Sequence, residues 1–202
     1  MTARVVLASR NAHKIEEMAR ILDDAGLHVE VVGIDVFDDV PEVPETEDSF
    51  EGNALLKARA VCAATGVPAV SDDSGLCVDA LNGMPGVLSA RWSGGAGDVA
   101  NLELVLAQLA DTPDERLGAQ FRCAVALVLP DGREAVVHGE MRGRLVRAPR
   151  GTNGFGYDPI FVPDGESRTS AEMSSVEKDA ISHRGNALRA LAPVLHALLP
   201  AS

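Results

Sequence analysis

The switch of apolar period along its first seventy residues most constrains what this chain can fold into. Arg4–Ala8 is a short, largely apolar run of strand type. From Asn11 to Ala25, Ile15, Met18, Ala19 and Leu22 recur at helical spacing, and Gly26 follows as a stop. Val29–Ile34 is a second extended run. Ser49 can cap a helix whose Ala54, Ala58, Val61 and Cys62 share one face, closed by Gly66 and Pro68. Ala69–Ser71 predicts a short strand running into an acidic turn, Ser71-Asp72-Asp73-Ser74-Gly75. Strand and helix in alternation predict an α/β fold.

Leu102, Val105, Leu106 and Leu109 mark a third helix. Phe121, Cys123, Val125, Leu127 and Leu129 alternate with their neighbours, Pro130-Asp131-Gly132 is a turn, and Glu134–Glu140 returns. This is a hairpin, so the sheet is expected to be mixed. Leu188, Leu191, Leu195 and Leu198 form a final helical stripe, with a kink predicted at Pro193. Ser182 is a candidate N-cap that would put His183 and Arg184 in the first turn. The segment Asn82–Gly94, with the sole Trp, reads as a turn-rich connection and no more.

Charge and composition narrow the function classes. The net charge of −12 argues against a general binder of nucleic acid or anionic membrane. Aromatics at 3% are too few for a platform that stacks single-stranded bases. A small anionic substrate fits if a few cations are placed locally. Of 18 Lys and Arg residues only Lys14, Lys57 and Lys178 are lysines. That scarcity suits sites needing a compact ammonium, and equally suits chance in an Arg-biased chain. Cys62, Cys77 and Cys123 form neither a disulfide framework nor a zinc motif. The first apolar run is too short for a signal peptide, and no run approaches the ~20 residues of a membrane helix. The expected compartment is the cytoplasm.

Four stretches carry chemistry. Ser9-Arg10-Asn11-Ala12-His13-Lys14 lies where a strand gives way to a helix, whose free N–H groups bind anions; it lacks the Walker glycines and also reads as an ordinary cap. Glu45, Asp72 and Asp73 are oxygen donors of the kind magnesium takes alongside substrate phosphates; Asp, Ser and Gly are also plain turn formers. Gly151–Pro159 sets Phe155 and Tyr157 in a glycine-rich loop, either exposed for stacking on a base or packed inward. Lys178-Asp179-Ala180-Ile181-Ser182-His183-Arg184-Gly185 gathers cations at a helix start, where the dipole opposes them unless an anion or polar ligand is present.

In order, these stretches resemble the inosine triphosphate pyrophosphatase family over nearly the whole chain. S/T-x-N-x-x-K-x-x-E is met by Ser9, Asn11, Lys14 and Glu17. E-T-x-x-S/T-F-x-x-N-A-x-x-K-A is met by Glu45, Thr46, Ser49, Phe50, Asn53, Ala54, Lys57 and Ala58. D-D-S-G is met at Asp72–Gly75, and P-G-x-x-S-A-R, F-G-Y-D-P-x-F and I-S-H-R-G follow. Any one motif is weak; six in order are specific.

The resemblance implies an elongated, twisted mixed sheet with flanking helices, a single domain of two lobes around a central active-site cleft, and a homodimer. It implies cleavage of ITP, dITP and XTP between the α- and β-phosphates, giving monophosphate and pyrophosphate. Glu45, Asp73 and Asp72 would hold Mg2+, and Asp73 would be the base for the attacking water. Ser9 to Lys14, Lys57 and Ser74 would grip the triphosphate. Phe155, Gly156, Tyr157, Asp158, Lys178, His183 and Arg184 would read the purine. His183 and Arg184 can donate to a 6-carbonyl; adenine would leave them unpaired, at ~1–3 kcal/mol per buried group. Arg10 and His13 fill variable positions, and the Trp92 position often holds another aromatic. The rivals are a Maf-like nucleotide pyrophosphatase, against which F-G-Y-D and S-H-R-G speak, and a sensor without catalysis, against which the intact acids speak.

Overall fold

The computed structural model of the protein describes residues 3–199. Six strands form one sheet in the order β2-β1-β3-β4-β5-β6. They are β1 (Arg4–Leu7), β2 (Glu30–Gly33), β3 (Ala69–Val78), β4 (Gly118–Val128), β5 (Glu134–Leu145) and β6 (Phe161–Pro163). β1 runs parallel to β2 and β3, whereas β6 runs antiparallel to β5, so the sheet is mixed as expected. The α-helices among the described residues are α1 (Ala12–Asp24), α2 (Phe50–Thr65), α3 (Asp98–Gln108), α4 (Ser175–Ile181) and α5 (His183–Leu198).

Local chemistry sets the helix ends. Asn11 caps α1 by accepting the His13 N–H, and Ser49 caps α2 by accepting the Gly52 N–H. Gly66, at φ 68°, ends α2 in the left-handed region that favours glycine.

The chain divides into two compact units. The first comprises the segments up to Asp73, Cys123–Gly139 and from Gly185 on; the second comprises Ser74–Arg122 and Glu140–Arg184. In the first unit the sheet is covered on both faces. Val5, Leu7, Val70, Cys123, Val125 and Leu127 pack with Met18 and Leu22 of α1 and Leu188, Leu191 and Leu195 of α5. Val6, Ala69, Ala124, Ala126 and Val128 pack instead with Ala54, Ala58 and Val61 of α2. Alternate residues of each strand thus serve opposite layers. The second unit has its own core, in which Leu76, Val78, Val105, Phe121, Ile160 and Phe161 are prominent.

The structure departs from the sequence expectations at the acidic segment and adds a short helix. Ser71–Gly75 is not a turn: β3 continues through it to Val78, because Leu76, Cys77 and Val78 supply a further buried apolar run. Gly75 serves close approach, since a Cβ there would lie 2.4 Å from both Gly86 O and Ser89 Oγ. Pro193 lies inside α5, which is one helix from His183 to Leu198. Ser182 closes α4, a short helix that the apolar pattern did not predict, and directly precedes α5, so His183 and Arg184 open that helix as expected. A reciprocal capping box starts α4: Ser174 accepts the Glu177 N–H, and Glu177 accepts the Ser174 N–H. The Ser174 hydroxyl and N–H, with help from Arg168, pull the exposed Glu177 carboxyl down to about 2.

Leu191 is fully buried between α5 and the first unit's strands. Leu191→Ala is expected to lower stability by about 2–5 kcal/mol, read as a shift of the urea unfolding midpoint at unchanged slope.

Candidate functional site

In the first unit the loop after β1 delivers a chain of local bonds to the α1 N-terminus. Ser9 Oγ accepts the Asn11 N–H at 3.1 Å, and Asn11 Oδ1 accepts the His13 N–H at 3.0 Å. Arg10, Asn11, Ala12 and His13 are exposed there. One turn in, Lys14 Nζ donates to both carboxylate oxygens of Asp72 at 3.0 Å. Lys57, from α2, donates to Glu45 Oε1 at 2.5 Å and to the Asp72 carbonyl at 2.9 Å. Two of the three lysines therefore meet the expected acids.

Asp72 and Asp73 do not act as a pair. Strand alternation sends Asp72 to the α1 face of β3, with Val70, and Asp73 to the α2 face, with Ala69. Asp73 is buried, and its Oδ2 accepts from Asn53 Nδ2 at 2.9 Å. The motif match included Asn53 without a role. Its one sequence signal is an amide inside an otherwise apolar helix face, where Asn is unfavourable.

Oxygen chemistry decides whether a magnesium ion suits these residues. No group of three or more His, Cys, Asp or Glu side chains converges among the described residues. Magnesium does not need one, because it usually takes one or two carboxylates and fills the rest with water and phosphate. The Lys57 ammonium already sits between a carboxylate and a backbone carbonyl, so the oxygens around it accept a cation. The donor set fits the ion. Beside it lies a cavity of about 370 Å³ lined by Ser9, Arg10, Ile34, Glu42, Glu45 and Lys57, among others. That is within the ~300–1,000 Å³ of small-molecule sites.

The second unit holds the other predicted residues. Phe155 is 65% exposed, and Lys178 Nζ lies 5.1 Å from its ring centroid. Tyr157 turns the other way. It is buried, its hydroxyl donates to Ser89 O at 2.8 Å, and burial pushes the phenol well above its usual range. Asp158, 2% exposed, accepts from Phe155 N at 2.9 Å and from Lys178 Nζ at 2.5 Å. The Gly156 N–H donates to Asp98 Oδ2 at 2.9 Å, which ties the loop to the start of α3. The loop is thus both of the sequence alternatives: Phe155 faces solvent while Tyr157 and Asp158 hold its shape. His183, at the start of α5, stacks on Phe121 with centroids 5.0 Å apart and planes at 14°. Arg184 follows it, partly buried, and Ser74 lies partly buried on β3.

The Lys178–Asp158 pair is a charge pair largely out of water. Lys178→Met would leave the carboxylate buried without its cation, with an expected loss of about 3–5 kcal/mol in urea unfolding. Lys178→Met combined with Asp158→Asn is expected to recover part of that loss.

Comparison with known proteins identifies the family. The Ham1 family model matches residues 5–194. A dITP/XTP pyrophosphatase of Streptomyces coelicolor is 60% identical over 197 residues, 97% of this chain and 98% of the relative. One from Nocardia farcinica is 61% identical over 198 residues, 97% of this chain and 96% of the relative. The crystal structure of the Mycobacterium abscessus nucleoside-triphosphatase, a dITP/XTP pyrophosphatase, aligns with a TM-score of 0.80 at 57% identity, covering 95% of this chain and 99% of that one. A HAM1 protein from Coxiella burnetii aligns with a TM-score of 0.89 at 42% identity, covering 97% and 100%. With a family model spanning nearly all of it and relatives this similar end to end, the chain belongs to the Ham1 family.

Proposed function

We propose that this chain hydrolyses deaminated purine nucleoside triphosphates, dITP, ITP and XTP, to the monophosphate and pyrophosphate. One observation carries the reading: two of three scarce lysines, three carboxylates and the α1 N-terminus gather within one unit of an otherwise acidic chain. Relatives about 60% identical carry the name dITP/XTP pyrophosphatase.

Residues of the first unit act on the triphosphate. Ser9 to Lys14 and Lys57 bind and orient it, joined by Ser74, the first residue of the second unit, the ammonium groups offsetting phosphate charge. Glu45 and Asp73 would hold a divalent cation, with Mg2+ the expected ion, while Asp72, on the other face of β3 and paired with Lys14, would stand close by. Such a cation neutralises phosphate charge and acidifies water. Asp73 orients the attacking water and takes its proton as the α–β anhydride breaks and pyrophosphate leaves. In the second unit Phe155 offers its exposed face to the base, on a loop shaped by Gly156, Tyr157 and Asp158. Lys178, His183 and Arg184 supply donors for the 6-carbonyl. The two units then form the lobes of one pyrophosphatase domain. The reading carries with it a homodimer in the cytoplasm. No described helix is long and apolar enough to cross a membrane.

With Mg2+, XTP, ITP and dITP are expected to give monophosphate and pyrophosphate, and ATP to be spared, in a substrate panel read by product chromatography. Turnover should vanish with a chelator. Equal turnover of ATP, or release of single phosphates, would overturn the reading.

Asp73→Asn is expected to lower kcat by about 10²–10⁴-fold, the usual worth of a general base, with the circular dichroism of the native protein retained. Near-normal turnover would remove Asp73 from that role.

A further inference from the structure

We infer that Asn53 is a positioning residue, fixing the Asp73 carboxylate and the Glu45 loop in one geometry through its two ends. The inference rests on the proposed role of Asp73 and adds a residue to which that reading gives no part.

Asn53 lies in the first turn of α2 and is fully buried. Its Oδ1 accepts the Glu47 N–H at 3.0 Å, and its Nδ2 donates to Asp73 Oδ2 at 2.9 Å. The orientation of the amide follows from its partners, because a backbone N–H can only donate and an ionised carboxylate can only accept. One rigid group thus spans two segments that are 26 residues apart. Glu47 is two residues from Glu45, and Asp73 is the proposed base.

The loop is also pressed onto α2 independently of Asn53. A Cβ on Gly52 would lie 2.7 Å from the Glu47 Cβ and 3.1 Å from Ser49 Oγ. The Glu47 side chain therefore packs onto the helix as closely as a glycine allows. The same residue's N–H donates to the Asn53 side chain.

A carboxylate with one oxygen tied to a buried amide loses rotation about its last torsion. Asp73 stands on rigid β3 and Asn53 on rigid α2, so the carboxylate plane is set before substrate arrives. Glu45, in contrast, stands on a loop without secondary structure of its own. Through Glu47 the same amide registers that loop against Asp73. Residues that orient a ligating or catalytic carboxylate typically cost ~10–100-fold in activity or metal affinity when removed.

The test uses the full chain. Asn53→Asp keeps the volume and the acceptor for Glu47 but removes the donor to Asp73; Asn53→Ala removes both ends. For XTP hydrolysis at saturating Mg2+, kcat is expected to fall ~10–100-fold while KM changes less than ~threefold, since the lysines and the Ser9–Lys14 loop are untouched. A purely structural residue would lower the folded fraction and leave kcat per folded molecule unchanged. A second readout needs no substrate or metal. Asn53→Asp combined with Asp73→Asn exchanges donor and acceptor across the same contact. The exchanged pair is expected to regain at least ~tenfold in the folded-to-unfolded ratio over Asn53→Asp alone in urea. Wild-type kcat in folded Asn53→Asp, or no recovery in the exchanged pair, would overturn the inference and leave the pyrophosphatase reading standing. Absence of XTP turnover in the wild type would overturn both.

Discussion

A β-strand cannot send two consecutive side chains to the same face. In β3 that constraint falls on Asp72 and Asp73, and the organisation of the first unit follows from it. Asp72 goes to the face covered by α1 and meets Lys14. Asp73 goes to the face covered by α2 and meets Asn53. Two acids that look interchangeable in one dimension thus acquire different partners and different burial. Asp72 is held by a bidentate ion pair, whereas Asp73 is held by a neutral amide. If Asp73 takes a proton as proposed, a neutral donor restrains it without lowering its basicity as a cation would.

The same alternation explains how an acidic segment survives inside a sheet. Ser71–Gly75 carries turn residues, yet the strand runs on because apolar residues on both sides are buried and their backbones need partners. The glycine that looks like a turn former instead admits Gly86 and Ser89 against the strand. Ser89 completes the arrangement by accepting the Leu76 N–H and donating to Gly86 O. Its carbonyl takes the Tyr157 hydroxyl, so the loop bearing Phe155 is anchored to the connection after β3. The segment Asn82–Gly94, a turn-rich connection by sequence, is therefore a support for the loop that exposes Phe155.

Cations are placed by the same economy. Lys14, Lys57 and Lys178 each rest on a carboxylate. An ammonium left unpaired near buried groups would be costly, and an unpaired buried carboxylate more so. Arginine appears elsewhere in fork geometry, as in Arg4 on Glu30 and Arg59 on Glu134, where two parallel bonds suit a planar group.

Much of this protein was legible in one dimension. Period and caps placed β1, α1 and α2, and the hairpin turn placed β4 and β5, because those elements depend on neighbours a few residues away. The spacing of Ser9, Asn11 and Lys14 located the α1 N-terminal loop for the same reason. The family itself was legible, since six motifs in order do not require coordinates. The capping box of α4 was also written locally, at Ser174 and Glu177, but a seven-residue helix has too little apolar period to announce itself. What only the tertiary structure decided are relations between distant segments. These include the inward turn of Tyr157 against Ser89, the divergence of Asp72 from Asp73, and the amide of Asn53 joining residues 47 and 73. Each depends on which layer covers which face of the sheet. Local propensity carries no record of that, because a buried polar group finds its partner only when the layers have packed.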